Sequence, residues 1–267
     1  MDFTNKPQFL LVWLGLLCIG AIPALLNFNL SSTALWHCIA IVDAQYILFD
    51  IDVAEKVETV KEQLETSGIR TVCITSEQDD EFDWTECVSI DDLSKQTDVR
   101  PPDSLRRGSK LKDVAMLLYT SGTTGLPKAA ILSHLKLLGG PAIFKRLLAL
   151  KPSDRLYTCM PLYHSTALIL GAAVVIESRS TLVLGHKFSR TNTWSEICKS
   201  ESTCLQYVGE MCRYLLSAPP SPNDTNHRVR LAYGNGLRPD VWQKFRDRFG
   251  IKSIAEFYAA TGNAVFE

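Results

Sequence analysis

Short apolar runs alternate with amphipathic stretches along most of the chain. Tyr46–Asp50 (YILFD) and Thr71–Ile74 (TVCI) have the length and composition of strands. Between them Val53, Val57, Val60 and Leu64 recur on one helical face, which predicts a helix over 53–67 with Gly68 as its stop. Val114–Tyr119 and Ala129–Leu132 read as strands, as do LYTCM (156–160), TLVLG (181–185), CLQYV (204–208) and VRLAYG (229–234). The clearest helix is 239–249. Pro239 opens it, Val241, Trp242, Phe245 and Phe249 line one face, and Gly250 closes it. The stretch APPSPNDTN (218–226) is a loop by composition. Residues 75–110 are polar and weakly patterned, with the acidic run EQDDEFD (77–83) read as a solvated loop. Such alternation predicts an α/β fold, with mostly parallel sheets and helices on both faces. Ligands then belong at the carboxyl ends of the strands.

One apolar run departs from this rhythm. Phe9–Leu26 carries no charge over 18 residues, which reaches the length of a membrane-spanning candidate and imitates a signal-peptide core. MDFTNK before it has no net positive charge, and Gly15, Gly20 and Pro23 interrupt it. The expectation is a helix that ends, followed by a short buried strand; membrane contact is the alternative.

Composition narrows the function classes. Of the 267 residues, 46% are hydrophobic and 21% charged, which is globular rather than disordered. The net charge of −1 argues against nucleic acid as a partner, and the basic run LRRGSKLK (105–112) reads as a solvated linker. Eight cysteines occur without a C-x-x-C pair, mostly inside apolar segments. That pattern fits free thiols in a reducing, intracellular compartment and predicts neither a disulfide framework nor a zinc site. The sequons at Asn29 and Asn223 would then go unused.

The densest chemistry lies in LLYTSGTTGLPKAAILSH (117–134). Gly122 and Gly125 let backbone approach a ligand closely. Thr120, Ser121, Thr123 and Thr124 add hydroxyl donors, and Lys128 adds a mobile positive charge. A loop of this kind after an apolar strand is an anion site suited to a polyphosphate. Glycine, glycine and lysine are spaced three and three, unlike G-x-x-x-x-G-K-[ST]. The bland alternative is an ordinary Ser/Thr/Gly turn.

YTSGTTGLPKAA resembles the phosphate loop of the AMP-forming adenylating enzymes, the superfamily of acyl-CoA synthetases, luciferases and peptide-synthetase adenylation domains. MPLYHS (160–165), QYVGEMCRYLL (206–216), YGNGLRPDVWQKFRDRFGI (233–251), AEFYAATGN (255–263) and residues 5–30 resemble its fatty-acid transport branch, the very-long-chain acyl-CoA synthetases. The resemblance implies part of the large N-terminal domain of such an enzyme. It also implies a two-step reaction, in which a long or very-long-chain fatty acid attacks ATP to give acyl-adenylate and CoA then displaces AMP. Mapped here, Tyr119 and Thr120–Lys128 would hold phosphates, with Lys128, Thr261 and His164 as catalytic candidates. Gly234, Asn235 and Gly236 match the adenine-side turn, and Tyr258 and Thr261 the segment that stacks on adenine and reaches the α-phosphate. Tyr163 and His164 would border the acyl pocket, with Gly209 and Cys212 in the helix lining it. His164 as a loop residue satisfied by backbone, and Glu210–Arg213 as a surface pair, are the bland alternatives. The cytosolic face of a membrane is the implied location.

The sequence departs from the family pattern in one motif. The family reads Tyr, two residues, Thr, Glu, Gly, Asn, whereas here Thr261 runs directly into Gly262. The carboxylate expected to help hold Mg²⁺ is missing from its place. The family also extends on both sides of these 267 residues, including a C-terminal lid domain, so the chain by itself is expected to be marginally stable. An adenylating enzyme for another carboxylate and a non-catalytic nucleotide- or lipid-binding protein are the alternative readings.

Overall fold

The computed structural model describes residues 1–75, 82–95, 99–120 and 125–258. These form two compact units, Met1–His134 and Leu135–Glu267.

The first unit holds two small sheets. β1 (Ala24–Leu25), β5 (Val114–Thr120) and β6 (Lys128–Ser133) form one, and β2 (Tyr46–Asp50), β3 (Arg70–Thr75) and β4 (Glu86–Ser89) the other. Every pairing is parallel except β5 with β6, which run antiparallel with Thr120 opposite Lys128. The apolar run at 9–26 resolves as expected. Helix Pro7–Cys18 buries Phe9 and Trp13 and ends, and the fully buried Leu25 lies in β1 against β5. Among the described residues no helix is long and apolar enough to cross a membrane.

Two expectations for this unit need correction. The helix predicted over 53–67 is broken into a 3₁₀ turn at Ile51–Val53 and helices Ala54–Glu58 and Lys61–Thr66. The hydroxyl of Thr59 causes the break. It donates to the Lys56 carbonyl at 2.6 Å and accepts from the Ser32 amide at 2.8 Å, so helical continuation is exchanged for a tertiary tie. The four apolar residues still reach the core, all at 1% exposure or less. The second correction concerns 75–110, where β4 and helix Ile90–Lys95 lie in what read as unpatterned chain. Most of the acidic run at 77–83 lies outside the described residues. The basic run at 105–112 is mostly exposed, and Arg106 pairs with Asp103 at the surface.

The second unit is built on a five-stranded, wholly parallel sheet in the order β11-β10-β9-β7-β8. Its strands are β7 (Arg155–Thr158), β8 (Thr181–Leu184), β9 (Cys204–Val208), β10 (Leu231–Asn235) and β11 (Ser253–Glu256). Side chains alternate across it. Leu205, Tyr207 and Ala232 face a core made with the helices Thr193–Lys199, Gly209–Leu216 and Pro239–Phe249. Gln206 and Tyr233 reach the opposite face, where they bond Thr166 and Leu170. Helix Pro239–Phe249 matches its sequence signals, including a left-handed Gly250 cap at φ +60°. The loop at 218–226 holds a 3₁₀ turn with a capping box on Ser221, and Arg248 ties it down through Asp224 and the Leu216 carbonyl.

At the amino end of this sheet Asp154 joins three strands. Arg230 donates to both of its oxygens, at 2.9 and 2.5 Å, and Thr203 and the Lys151 amide donate at 2.8 Å each. Burial opposes the charge, but these hydrogen bonds win and hold the Asp154 carboxyl at about 2. A folded-state pKa below the unfolded one stabilises above the unfolded value, and the gain is lost as pH falls through the folded value. We expect Asp154 to contribute about 2 kcal/mol at neutral pH, fading between about pH 4 and pH 2. Asp154→Asn is expected to cost about 3 kcal/mol in urea unfolding at pH 7, with the gap to wild type closing below about pH 4.

Candidate functional site

The hydroxyl- and glycine-rich stretch connects β5 to β6 in the first unit. Ser121, Gly122, Thr123 and Thr124 lie outside the described residues, so its ends carry the geometry. Thr120 closes β5 opposite the exposed Lys128 that opens β6. Gly125 sits at φ +141°, a conformation that side chains rarely adopt. Two side chains fix the flanks. His37 Nε2 donates to the Pro127 carbonyl at 3.0 Å, anchoring the exit to helix Ser32–Ala40. The Tyr119 hydroxyl donates to the Cys38 carbonyl on the same helix, and burial pushes its pKa up. Tyr119 thus spends its hydroxyl on anchoring the strand.

The other described candidates belong to the second unit and gather at the carboxyl edge of the parallel sheet. Tyr163 and His164 follow β7, Gly209 follows β9, Asn235 ends β10, and Tyr258 lies just past β11. Tyr163 is buried with its ring 4.4 Å from that of His164. Desolvation lowers the His164 pKa, so the imidazole is neutral at pH 7. Its amide donates to Pro161 O and its carbonyl accepts from Leu168 N, each at 3.0 Å. Cys212 is fully buried in the core beneath helix Gly209–Leu216, and burial raises its thiol far above the usual range. Glu210 and Arg213 form the exposed pair considered above. Tyr258 is 77% exposed. Thr261 lies outside the described residues.

The tightest contact at this edge is between backbones. A Cβ at Gly209 would lie 1.8 Å from the Gly236 carbonyl oxygen, and one at Gly234 would lie 2.1 Å from the Tyr207 carbonyl oxygen. Only glycine permits this approach. Gly236 turns at φ +77°, which leads the chain into Leu237. Glu256, at the end of β11, then locks the turn. Both carboxylate oxygens accept from the Leu237 amide at 3.3 Å, and Tyr207 donates to Oε1 at 2.6 Å. Burial and this carboxylate together push the Tyr207 hydroxyl pKa up. Beside them Asn235 Oδ1 is buried with no partner among the described residues. A buried acceptor at the carboxyl edge of a parallel sheet suits the amino group of a bound base.

The first unit carries a donor-rich loop and the second a glycine-cradled turn, and each by itself suits part of a nucleotide. The AMP-binding enzyme family profile matches residues 2–266. The chain belongs to that family. A very long-chain fatty acid transport protein of Cochliobolus heterostrophus is 43% identical over 98% of this chain and 39% of its own length. A medium/long-chain-fatty-acid–CoA ligase of Mycobacterium tuberculosis is 36% identical over 98% of this chain and 42% of its own. The chain thus spans about two fifths of such relatives. ATP-bound MatB from Rhodopseudomonas palustris superposes with a TM-score of 0.79 over 97% of this chain and 50% of that one, at 22% identity, which shows the shared AMP-binding fold.

Two residues of this chain carry the geometry of the candidate site without having stood out in sequence. Glu256 lies two places before Tyr258, but its partner Tyr207 is 49 residues away. His37 reaches Pro127 across 90 residues. The lone carboxylate in the strand-like SIAE was the available signal for Glu256. Glu256→Ala is expected to release the Leu237 amide and weaken nucleotide binding by about tenfold, with a loss of about 1–2 kcal/mol in stability. Calorimetric titration with ATP beside a thermal melt checks this; unchanged ATP affinity would contradict it.

Proposed function

We propose that this chain carries nucleotide and acyl-recognition elements of an AMP-forming acid–thiol ligase that activates long or very-long-chain fatty acids. The observation that carries the reading is Lys128, exposed opposite Thr120 at the mouth of the glycine–hydroxyl loop. The residues present suit the parts of ATP unit by unit: in the first, Lys128 and the loop hydroxyls suit a triphosphate, and in the second, Asn235 Oδ1, without a partner among the described residues, suits a base amino group. In the first step a fatty carboxylate oxygen bonds to the α-phosphorus as the bond to pyrophosphate breaks. In the second, the thiol of CoA bonds to the acyl carbon and AMP departs. Lys128 neutralises charge on the outer phosphates as pyrophosphate separates. Neutral His164 beside Tyr163 presents a polar edge to the carboxylate without a competing charge. By its place in the motif, the Thr261 hydroxyl is assigned to the α-phosphate. Mg²⁺ accompanies polyphosphates and favours one or two carboxylates. The residue after Thr261 is Gly262, so the chain offers no carboxylate at that place. The cytosolic face of a lipid membrane is the setting this substrate implies.

Gly262 also favours a second reading, a non-catalytic protein that binds nucleotide or acyl chains. Exchange of labelled pyrophosphate into ATP, driven by a chain-length series of fatty acids, separates the two. We expect exchange that rises with chain length and falls by about a hundredfold or more in Lys128→Ala. ATP binding without exchange for any acid would favour the non-catalytic reading.

A further inference from the structure

The helix that follows Tyr163 and His164 is not a plain α-helix. It starts as an α turn at Ser165–Ala167, widens into a π turn over Leu168–Ala173 and resumes as α-helix at Val174–Ser178. All six residues of the π turn are buried. A π turn is uncommon and disturbs the ladder, so carbonyls beside it need donors from elsewhere. Two strand side chains supply them. Gln206 Nε2 donates to the Thr166 carbonyl at 2.8 Å, and the Tyr233 hydroxyl donates to the Leu170 carbonyl at 2.7 Å. Gln206 and Tyr233 stand opposite one another in the register of β9 and β10, and both are 0% exposed.

The fit is close on the helix side as well. A Cβ on Gly171 would lie 2.8 Å from Gln206 Oε1, so the amide occupies the space that this glycine leaves. Gln206 Oε1 itself is buried with no partner among the described residues. A buried amide with half its capacity unused is costlier than an apolar side chain of the same length. Stability alone therefore does not account for glutamine at this core position, whereas a directed grip on the helix does.

We propose that Gln206 and Tyr233 are positioning residues that hold the π turn and thereby fix where Tyr163 and His164 stand at the sheet edge. The backbone carries the effect over a short path. Thr166 lies two residues past His164, whose own carbonyl accepts from Leu168 N at 3.0 Å inside the gripped segment. Gln206 and Tyr233 act through the helix, and their consequence for fatty-acid recognition rests on the acyl-adenylation reading above.

Tyr233→Phe and Gln206→Met test this, each removing one donor and keeping most of the side-chain volume. Hydrogen–deuterium exchange would be followed by mass spectrometry for peptides across 161–178 and for the core of helix Pro239–Phe249, and affinities measured for palmitate and for ATP. The expected result is faster exchange confined to 161–178, palmitate binding weakened by about tenfold and ATP binding unchanged. Gly171→Ala, which pushes on the same amide, should reproduce it. Unchanged exchange at 161–178, or an equal rise across the whole second unit, would overturn the proposal, as would unchanged palmitate affinity despite local loosening. A wild-type chain that binds no palmitate removes the acyl consequence, and the exchange pattern then decides the grip by itself. If Gln206→Met does not fold, Tyr233→Phe, which loses a single hydroxyl, carries both readouts.

Discussion

The candidate site in the second unit depends on two backbones passing closer than side chains allow. The Gly236 carbonyl occupies the volume that any Cβ at position 209 would need, at 1.8 Å. This contact sets how β9 leaves the sheet into helix Gly209–Leu216 and how β10 leaves it into Leu237. Because backbone atoms meet directly, neither segment can adjust by changing a rotamer. The turn is therefore held by construction, and Glu256 adds a carboxylate latch from a third strand. A ligand group placed against Asn235 would meet an edge that is already organised, which reduces the ordering cost of binding.

The opposite edge of the same sheet uses a different device. There Asp154, Thr203 and Arg230 tie the starts of β7, β9 and β10 through charge-assisted hydrogen bonds. A buried ion pair of this kind contributes little against an apolar replacement, but removing one partner is costly. Its effect is to fix strand register, and register decides which side chains face which layer. A one-residue slip of β9 would put Gln206 into the Tyr207 core and Leu205 against the π turn. The site at one edge thus relies on the register lock at the other.

Much of this was legible in sequence. Helix Pro239–Phe249 carried its start, its apolar face and its stop, and CLQYV matched β9 at both ends. What escaped depended on partners distant in the chain. Thr59 breaks a helix that periodicity predicted as continuous, because its hydroxyl donates to the Lys56 carbonyl and accepts from the distant Ser32 amide. β4 contains only four residues with Glu86 at its start, too short for a period to register. The apolar run LILGAAVV gives no hint of a π turn, since widening a helix leaves its composition unchanged. The lone polar residue in CLQYV was the one trace of it, and its meaning required knowing that Thr166 lies across the sheet face. The hydroxyl- and glycine-rich loop was picked out by its composition, while the ties at its flanks, His37 to Pro127 and Tyr119 to Cys38, emerged from the fold.

The Thr261–Gly262 junction bears differently on binding and on turnover. In the proposed reaction Lys128 and the loop hydroxyls would hold phosphates that are charged throughout, so part of their attraction is uniform, and the part that acts on rate is the charge gained by departing pyrophosphate. A carboxylate that steadies the metal–nucleotide complex is also partly uniform, and its loss raises the nucleotide concentration needed more than it slows the step at saturation. In the same proposed reaction Tyr163 and His164 would face the carboxylate, whose charge is lost as it becomes a mixed anhydride with phosphorus. Under that reading their placement would bear on both acyl binding and the adenylation step, and it would run through the π turn proposed to be gripped rather than through the missing carboxylate. The departure at Gly262 is then compatible with turnover at high nucleotide, and rate at saturation, not affinity, separates a weakened ligase from a binding protein.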